Sequence, residues 1–201
     1  MHLIYRTMVV GLLIATGLHA QTLSGQALVN ALHQGGYVIV MRHASSPRET
    51  PDAKTANPDN TNHERQLDET GRSTATAFGK ALRDLKIPIG EVLSSPTYRA
   101  LETIRLAQLP MPKTVPELGE NGQSMKEAKE SQAAWLRKAV TQFPKGSNTL
   151  LVTHFPNMSA AFPQSTSGLA DGEALVFGPD GKGGSAVVAR VKIEEWPKLR
   201  Q

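Results

Sequence analysis

Residues 37–41 read Tyr-Val-Ile-Val-Met, an unbroken apolar run that starts after Gly35-Gly36 and stops at Arg42-His43. A strand apolar at every position is covered on both faces, as in a parallel sheet lying between helices. A strand with one wet face alternates instead. Polar groups at the C-terminal end of such a strand sit on the rim where open α/β sheets bind ligands. This stretch therefore argues for a layered α/β fold and for a site at its end.

The rest of the chain repeats the pattern. Ser24 to Gln34 carries Ala27, Leu28, Ala31 and Leu32 at helical spacing and ends at a glycine. A helix beginning at Asp68 or Thr70 presents Ala75, Phe78, Leu82 and Leu85 on one face and ends before Pro88. Glu91–Ser94 is a second strand. The helix that follows it carries Arg99 in its first turns, with Tyr98, Leu101 and Ile104 facing inward. Lys113–Glu117 is a third, weaker strand. The capping box Ser124-Met125-Lys126-Glu127 opens a helix with Trp135, Leu136, Ala139, Val140 and Phe143 on one face. Thr149–Thr153 is a fourth strand running into His154, and Pro156 suits the first turn of the next helix. Ala174–Phe177 and Ser185–Val191 form a closing hairpin around the turn-rich GPDGKGG. The order βα, βα, βα, βα, ββ predicts a three-layer α/β/α sandwich with a mostly parallel, six-stranded mixed sheet.

Residues 45–66 interrupt this regularity with three prolines and three asparagines among many charges. So long a connection is a functional lid or is disordered. Its Arg48, Lys54 and Arg65 are candidates to contact an acidic substrate, although charged loop residues are ordinarily just hydrated. At the other extreme, Arg6 precedes the apolar stretch MVVGLLIATGL, and Leu18-His19-Ala20 reads as a small-residue cleavage site. Residues 1–20 are expected to be a secretory signal peptide, leaving one domain over 21–201 and no stable membrane insertion after its removal. A chain without cysteine tolerates an oxidising compartment and cannot build a thiolate metal site. A net charge of +4, scattered along the chain, with 5% aromatics and no recognised motif, argues against a nucleic-acid partner.

Right-handed crossovers bring the C-terminal ends of parallel strands to one edge of the sheet. Arg42-His43, Arg99 and His154 are thus expected to converge. Two arginines and two histidines with no cluster of metal ligands suit a small dianion such as phosphate, because guanidinium forks match its oxygens.

The segments VMRHASS (40–46), QLDETGRSTATAFGKAL (66–82), VLSSPTYRALETIRLA (92–107) and LLVTHFPN (150–157) together resemble the histidine phosphatase superfamily, the phosphoglycerate-mutase-like fold, in order and spacing. The resemblance implies His43 as nucleophile, with Arg42, Arg99 and His154 holding the nonbridging oxygens. It implies Ser46 and Asn157 as substrate-binding groups, and no metal or cofactor. A proton donor to the leaving oxygen is taken from a glutamate after the second arginine. Glu120 lies closest to the family pattern, with Glu117 and Glu173 as alternatives. Ala44 stands where glycine is commoner, a variant also found in compact bacterial phosphohistidine phosphatases, and the 45–66 loop is longer than theirs. The expected activity is that of an exported, metal-independent phosphomonoesterase acting on a small phosphorylated substrate. The alternatives are a noncatalytic binder of phosphorylated or anionic envelope ligands and a phosphoglycerate mutase. The mutase is disfavoured by the export signal and by the absence of the larger mutase insertions.

Overall fold

The computed structural model describes residues 22–120 and 130–199. The elements are α1 (Gly25–Gln34), β1 (Val38–Arg42), α2 (Glu69–Asp84), β2 (Ile89–Ser94), α3 (Tyr98–Leu106), β3 (Lys113–Thr114), α4 (Glu130–Ala139), β4 (Asn148–Thr153), α5 (Phe155–Ala161), β5 (Ala174–Pro179) and β6 (Ser185–Val191). They form one six-stranded mixed sheet in the order β3-β2-β4-β1-β5-β6. β1 to β4 pair in parallel, while β5 runs antiparallel to β1 and to β6.

Strand alternation divides the interior into two cores. Ile39 and Met41 of β1, Leu150 and Val152 of β4, and Ala174 and Val176 of β5 face α1, α2 and α3. Val38, Val40, Leu151, Leu175 and Phe177 face α4 and α5. β1 and β4 are therefore covered on both sides, which is why they read as continuous apolar runs. Two glycines permit close approaches. Gly35 ends α1 at φ 72°, where a Cβ would meet Ser147 N at 2.4 Å, and a Cβ on Gly71 would meet the carbonyl oxygen of Ser45 at 2.1 Å. α2 thus packs against the backbone that leaves β1, and Asp68 caps it by accepting from Gly71 N at 2.7 Å.

Two expectations are adjusted. The third strand covers only Lys113–Thr114, and Pro116–Leu118 forms a turn of 3-10 helix instead. Pro116 has no N–H for a ladder, and its fixed φ suits a first helical turn. Phe143 lies beyond the end of α4, although it still packs on that core. The C-terminal 3-10 helix Ile193–Lys198 buries Trp196 edge-on against Phe78 of α2 at 5.2 Å between centroids, with no strong periodicity to announce it. The signal segment and the 124–127 capping box lie outside the described residues. Among the described residues, no helix is long and apolar enough to cross a membrane.

Candidate active site

The sheet order sets β2, β4 and β1 side by side, so their C-terminal ends deliver Ser94-Ser95, Thr153-His154 and Arg42-His43 to one rim. Each chain continues its pairing one step past the strand: His43 N donates to Thr153 O at 3.0 Å and Ser95 N to Val152 O at 2.9 Å. Ala44 N donates to the Thr103 hydroxyl at 3.1 Å, which donates to Arg99 O at 2.8 Å. The first turn of α3, which carries Arg99, is thereby fixed to the strand end that carries His43. The rings of His43 and His154 lie 5.2 Å apart between centroids, edge to face.

The chemistry of His43 follows from its two nitrogens. Nδ1 stands 2.8 Å from the carbonyl oxygen of Ala44, which can only accept, so Nδ1 carries the proton. Nε2 is then left with its lone pair, on which Arg99 Nε donates at 3.2 Å. The ring is 3% exposed. Burial first, then the charge of Arg99, pulls its pKa down from 6.5 to about 3, with the Ala44 hydrogen bond acting the other way. His43 is neutral at any physiological pH, with its unprotonated nitrogen aimed among guanidinium groups.

Arg99 is itself buried and serves three partners. Besides His43, its Nη2 lies 3.2 Å from His154 Nδ1 and pairs with Glu120 Oε2. The other oxygen of Glu120 is 3.2 Å from the same Nδ1. On its far side His154 Nε2 meets the Ser95 hydroxyl at 2.8 Å. Burial, His43 and Arg99, in that order, hold the His154 pKa well below the usual histidine value. The standing positive charge of the rim therefore comes from its arginines.

Arg42 is tied from its outer side. It donates to Leu169 O at 3.1 Å, pairs with Asp171 at 2.5 Å, and sits 5.7 Å from the ring of half-exposed Phe155. A third guanidinium, Arg65, belongs to the long loop. Its Nε and Nη2 donate to Pro47 O and Ser46 O at 2.7 and 3.1 Å, and its charge acts on Arg99, Glu120 and Arg42. Arg48 and Lys54 are exposed at the loop surface.

The loop is a built wall. Buried Asn60 bridges Glu64, with Nδ2 to its carbonyl at 2.7 Å and Oδ1 to its N–H at 2.9 Å. Asn57 donates to the Tyr98 hydroxyl and to buried Glu102 at 3.0 and 3.1 Å, and Glu64 accepts from Tyr98 N at 3.0 Å. Thr50, Asn62, His63, Glu64 and Arg65 thereby line a cleft of about 260 Å³ that opens onto Thr97, Arg99 and Glu120.

Of the expected site residues, Arg42, His43, Arg99, His154 and Glu120 converge. The Ser46 hydroxyl instead donates to Gln66 O at 2.9 Å, closing the base of the loop. Asn157 donates to the carbonyls of Glu117 and Gly119 at 3.1 and 3.2 Å. Glu173 is buried against Arg190 of β6 and accepts from Ala170 N at 2.7 Å, so it is occupied elsewhere. Glu117 sits on the 3-10 turn that leads into Glu120. The sequence reading missed Ser95, which the strand-end rule that found His43 also selects, and Asp171, whose pairing with Arg42 has no local signal. Among the described residues, no group of three or more metal-ligating side chains occurs.

Residues 38–120 match the family model of the histidine phosphatase superfamily, branch 1. Comparison with curated proteins gave no match. Similar solved structures include the protein histidine phosphatase SixA complexed with tungstate: TM-score 0.56, 17% identity, 79% of this chain and 98% of that one. Bacillus stearothermophilus YhfR gives a TM-score of 0.53 at 17% identity, covering 75% of this chain and 94% of that one. A mutant phosphoserine phosphatase from Entamoeba histolytica, in complex with phosphoserine, gives 0.53 at 11% identity, covering 79% and 98%. At these identities the likeness is one of fold. The family match runs through the segments that carry Arg42, His43, Arg99 and Glu120, and over residues 38–120 the chain is similar to the histidine phosphatase superfamily, whose fold the solved structures share.

Proposed function

We propose that the protein is an exported phosphomonoesterase that works through a phosphohistidine on His43. The observation that carries this reading is the neutral His43 ring, with Nδ1 bonded to Ala44 O and the Nε2 lone pair directed at Arg99. A phosphoryl dianion takes the place of the Glu120 carboxylate on Arg99, with Arg42, Arg65 and His154 around its remaining oxygens. His43 Nε2 attacks phosphorus in line. The P–O bond breaks, its electron pair goes to the leaving oxygen, and that oxygen takes the proton of Glu120 in its acid form. An alcohol and N-phosphohistidine result. Water then attacks phosphorus, gives its proton to Glu120, and the P–N electron pair returns to Nε2 as inorganic phosphate leaves.

The guanidinium groups supply the charge stabilisation on which phosphoryl transfer chiefly depends. The tungstate held by the SixA phosphatase is a tetrahedral oxyanion of phosphate's shape, which fits the same use of this rim. Export rests on the composition of residues 1–20 and on a chain that oxidation cannot cross-link.

The test is a substrate screen on the purified protein with aryl phosphate, sugar phosphates and 3-phosphoglycerate, with and without EDTA. Release of inorganic phosphate, unaffected by the chelator, is expected. Isomerisation of phosphoglycerate without phosphate release means a mutase. Tight phosphate binding without turnover means a binder. Either result overturns the proposal.

A further inference from the structure

Glu120 lies outside every helix and strand, two residues past the 3-10 turn, yet its carboxylate spans Arg99 and His154. Its placement comes from bonds to the three carbonyls just before it. Thr153 Oγ1 donates to Leu118 O at 2.8 Å, Gln132 Nε2 to Gly119 O at 3.0 Å, and Asn157 Nδ2 to both Glu117 O and Gly119 O. All three donors are buried, at 0%, 5% and 1% exposure for Thr153, Gln132 and Asn157. Buried carbonyls require donors, but they do not require them from these particular elements. Thr153 is the residue before His154, and Asn157 is one turn of α5 beyond it. The turn that carries Glu120 is thus registered against the same backbone that carries His154.

We propose that Thr153, Asn157 and Gln132 are positioning residues that aim Glu120 at the leaving oxygen, an inference that rests on the reading of Glu120 as the acid. A general acid matters most when the leaving group is a poor one. Alkoxides need the proton as the bond breaks, whereas a nitrophenolate departs nearly unaided. A loosened clamp therefore has a selective signature, which a general loss of structure does not.

The experiment compares p-nitrophenyl phosphate with glycerol phosphate for Thr153→Val, Asn157→Leu, Thr153→Ser and Glu120→Gln, with orthovanadate inhibition as a check on the oxyanion site. Thr153→Val and Asn157→Leu are expected to lower kcat for the alkyl ester on the order of 10- to 100-fold, with aryl-ester turnover and vanadate inhibition changed less than about threefold. Thr153→Ser keeps the hydroxyl and is expected to restore the alkyl-ester rate. Equal losses on both esters, or vanadate inhibition lost with them, overturn the clamp. If the clamp variants and Glu120→Gln all fail to discriminate, the acid assignment falls. If only Glu120→Gln discriminates, the acid stands and the clamp falls.

Discussion

Arg99 donates through Nε to His43 Nε2 at 3.2 Å, on the lone pair that attacks phosphorus in the proposed reaction. The guanidinium helps hold the ring neutral and orients its lone pair. Its Nη2 serves His154 and Glu120. A lysine keeps the charge but offers a single point donor on a flexible stem. Arg99→Lys is therefore expected to lower kcat/KM on the order of 100-fold or more. Steady-state kinetics check this, and near-normal activity contradicts the three-way role.

Both buried histidines give stability a defined dependence on acid. In the unfolded chain each takes up a proton below about pH 6.5, whereas folded His43 resists it until about pH 3 and folded His154 is likewise depressed. The unfolded state then binds more protons in that window, so stability falls as pH drops from about 6.5 toward 3. The slope approaches ~1.4 kcal/mol per pH unit for each histidine. Urea unfolding between pH 7 and pH 4 is expected to show this fall. His43→Asn and His154→Asn are expected to show a shallower one. Parallel slopes in the variants contradict the assignment.

The two ends of the long loop separate structure from substrate. Ser46 directs its hydroxyl at Gln66 O, so Ser46→Ala is expected to leave KM within about twofold and to cost about 1 kcal/mol of stability. Arg65 faces the cleft beside Arg99, and Arg65→Gln is expected to raise KM about tenfold or more. The reverse pattern in a side-by-side assay would restore Ser46 as a substrate contact.

Gly71 is required by the carbonyl of Ser45, which an added methyl would meet at 2.1 Å. Because backbone must move, Gly71→Ala is expected to cost about 1–3 kcal/mol. It is also expected to lower activity, since Ser45 lies two residues from His43. Thermal melts and turnover together check both effects, and a variant unchanged in either contradicts the close packing of α2 on the β1 exit.

The parts of the site legible in the sequence are those at strand ends. His43 and His154 directly follow apolar runs, and Arg99 opens the helix after the second strand, so the βα order places all three on one rim. Glu120 is harder, because a two-residue strand and a 3-10 turn have no periodicity, and what separates it from Glu117 is which carbonyls Thr153, Gln132 and Asn157 reach. The 45–66 loop shows only its composition in sequence. Its shape is made by Asn57, Asn60 and Gln66 bonding to partners up to 45 residues away. Ion pairs such as Arg42–Asp171 and Arg190–Glu173 depend on where β5 and its approach return to the sheet, which neither local propensity nor spacing encodes.

The central claim is that His43 becomes covalently phosphorylated. Rapid quenching of the protein with a radiolabelled aryl phosphate, followed by peptide mapping, tests it most directly. The expected result is a base-stable, acid-labile label on the peptide containing His43, formed and lost at rates that account for turnover and missing in His43→Ala. Full turnover in His43→Ala, or a kinetically competent label on any other residue, would contradict it.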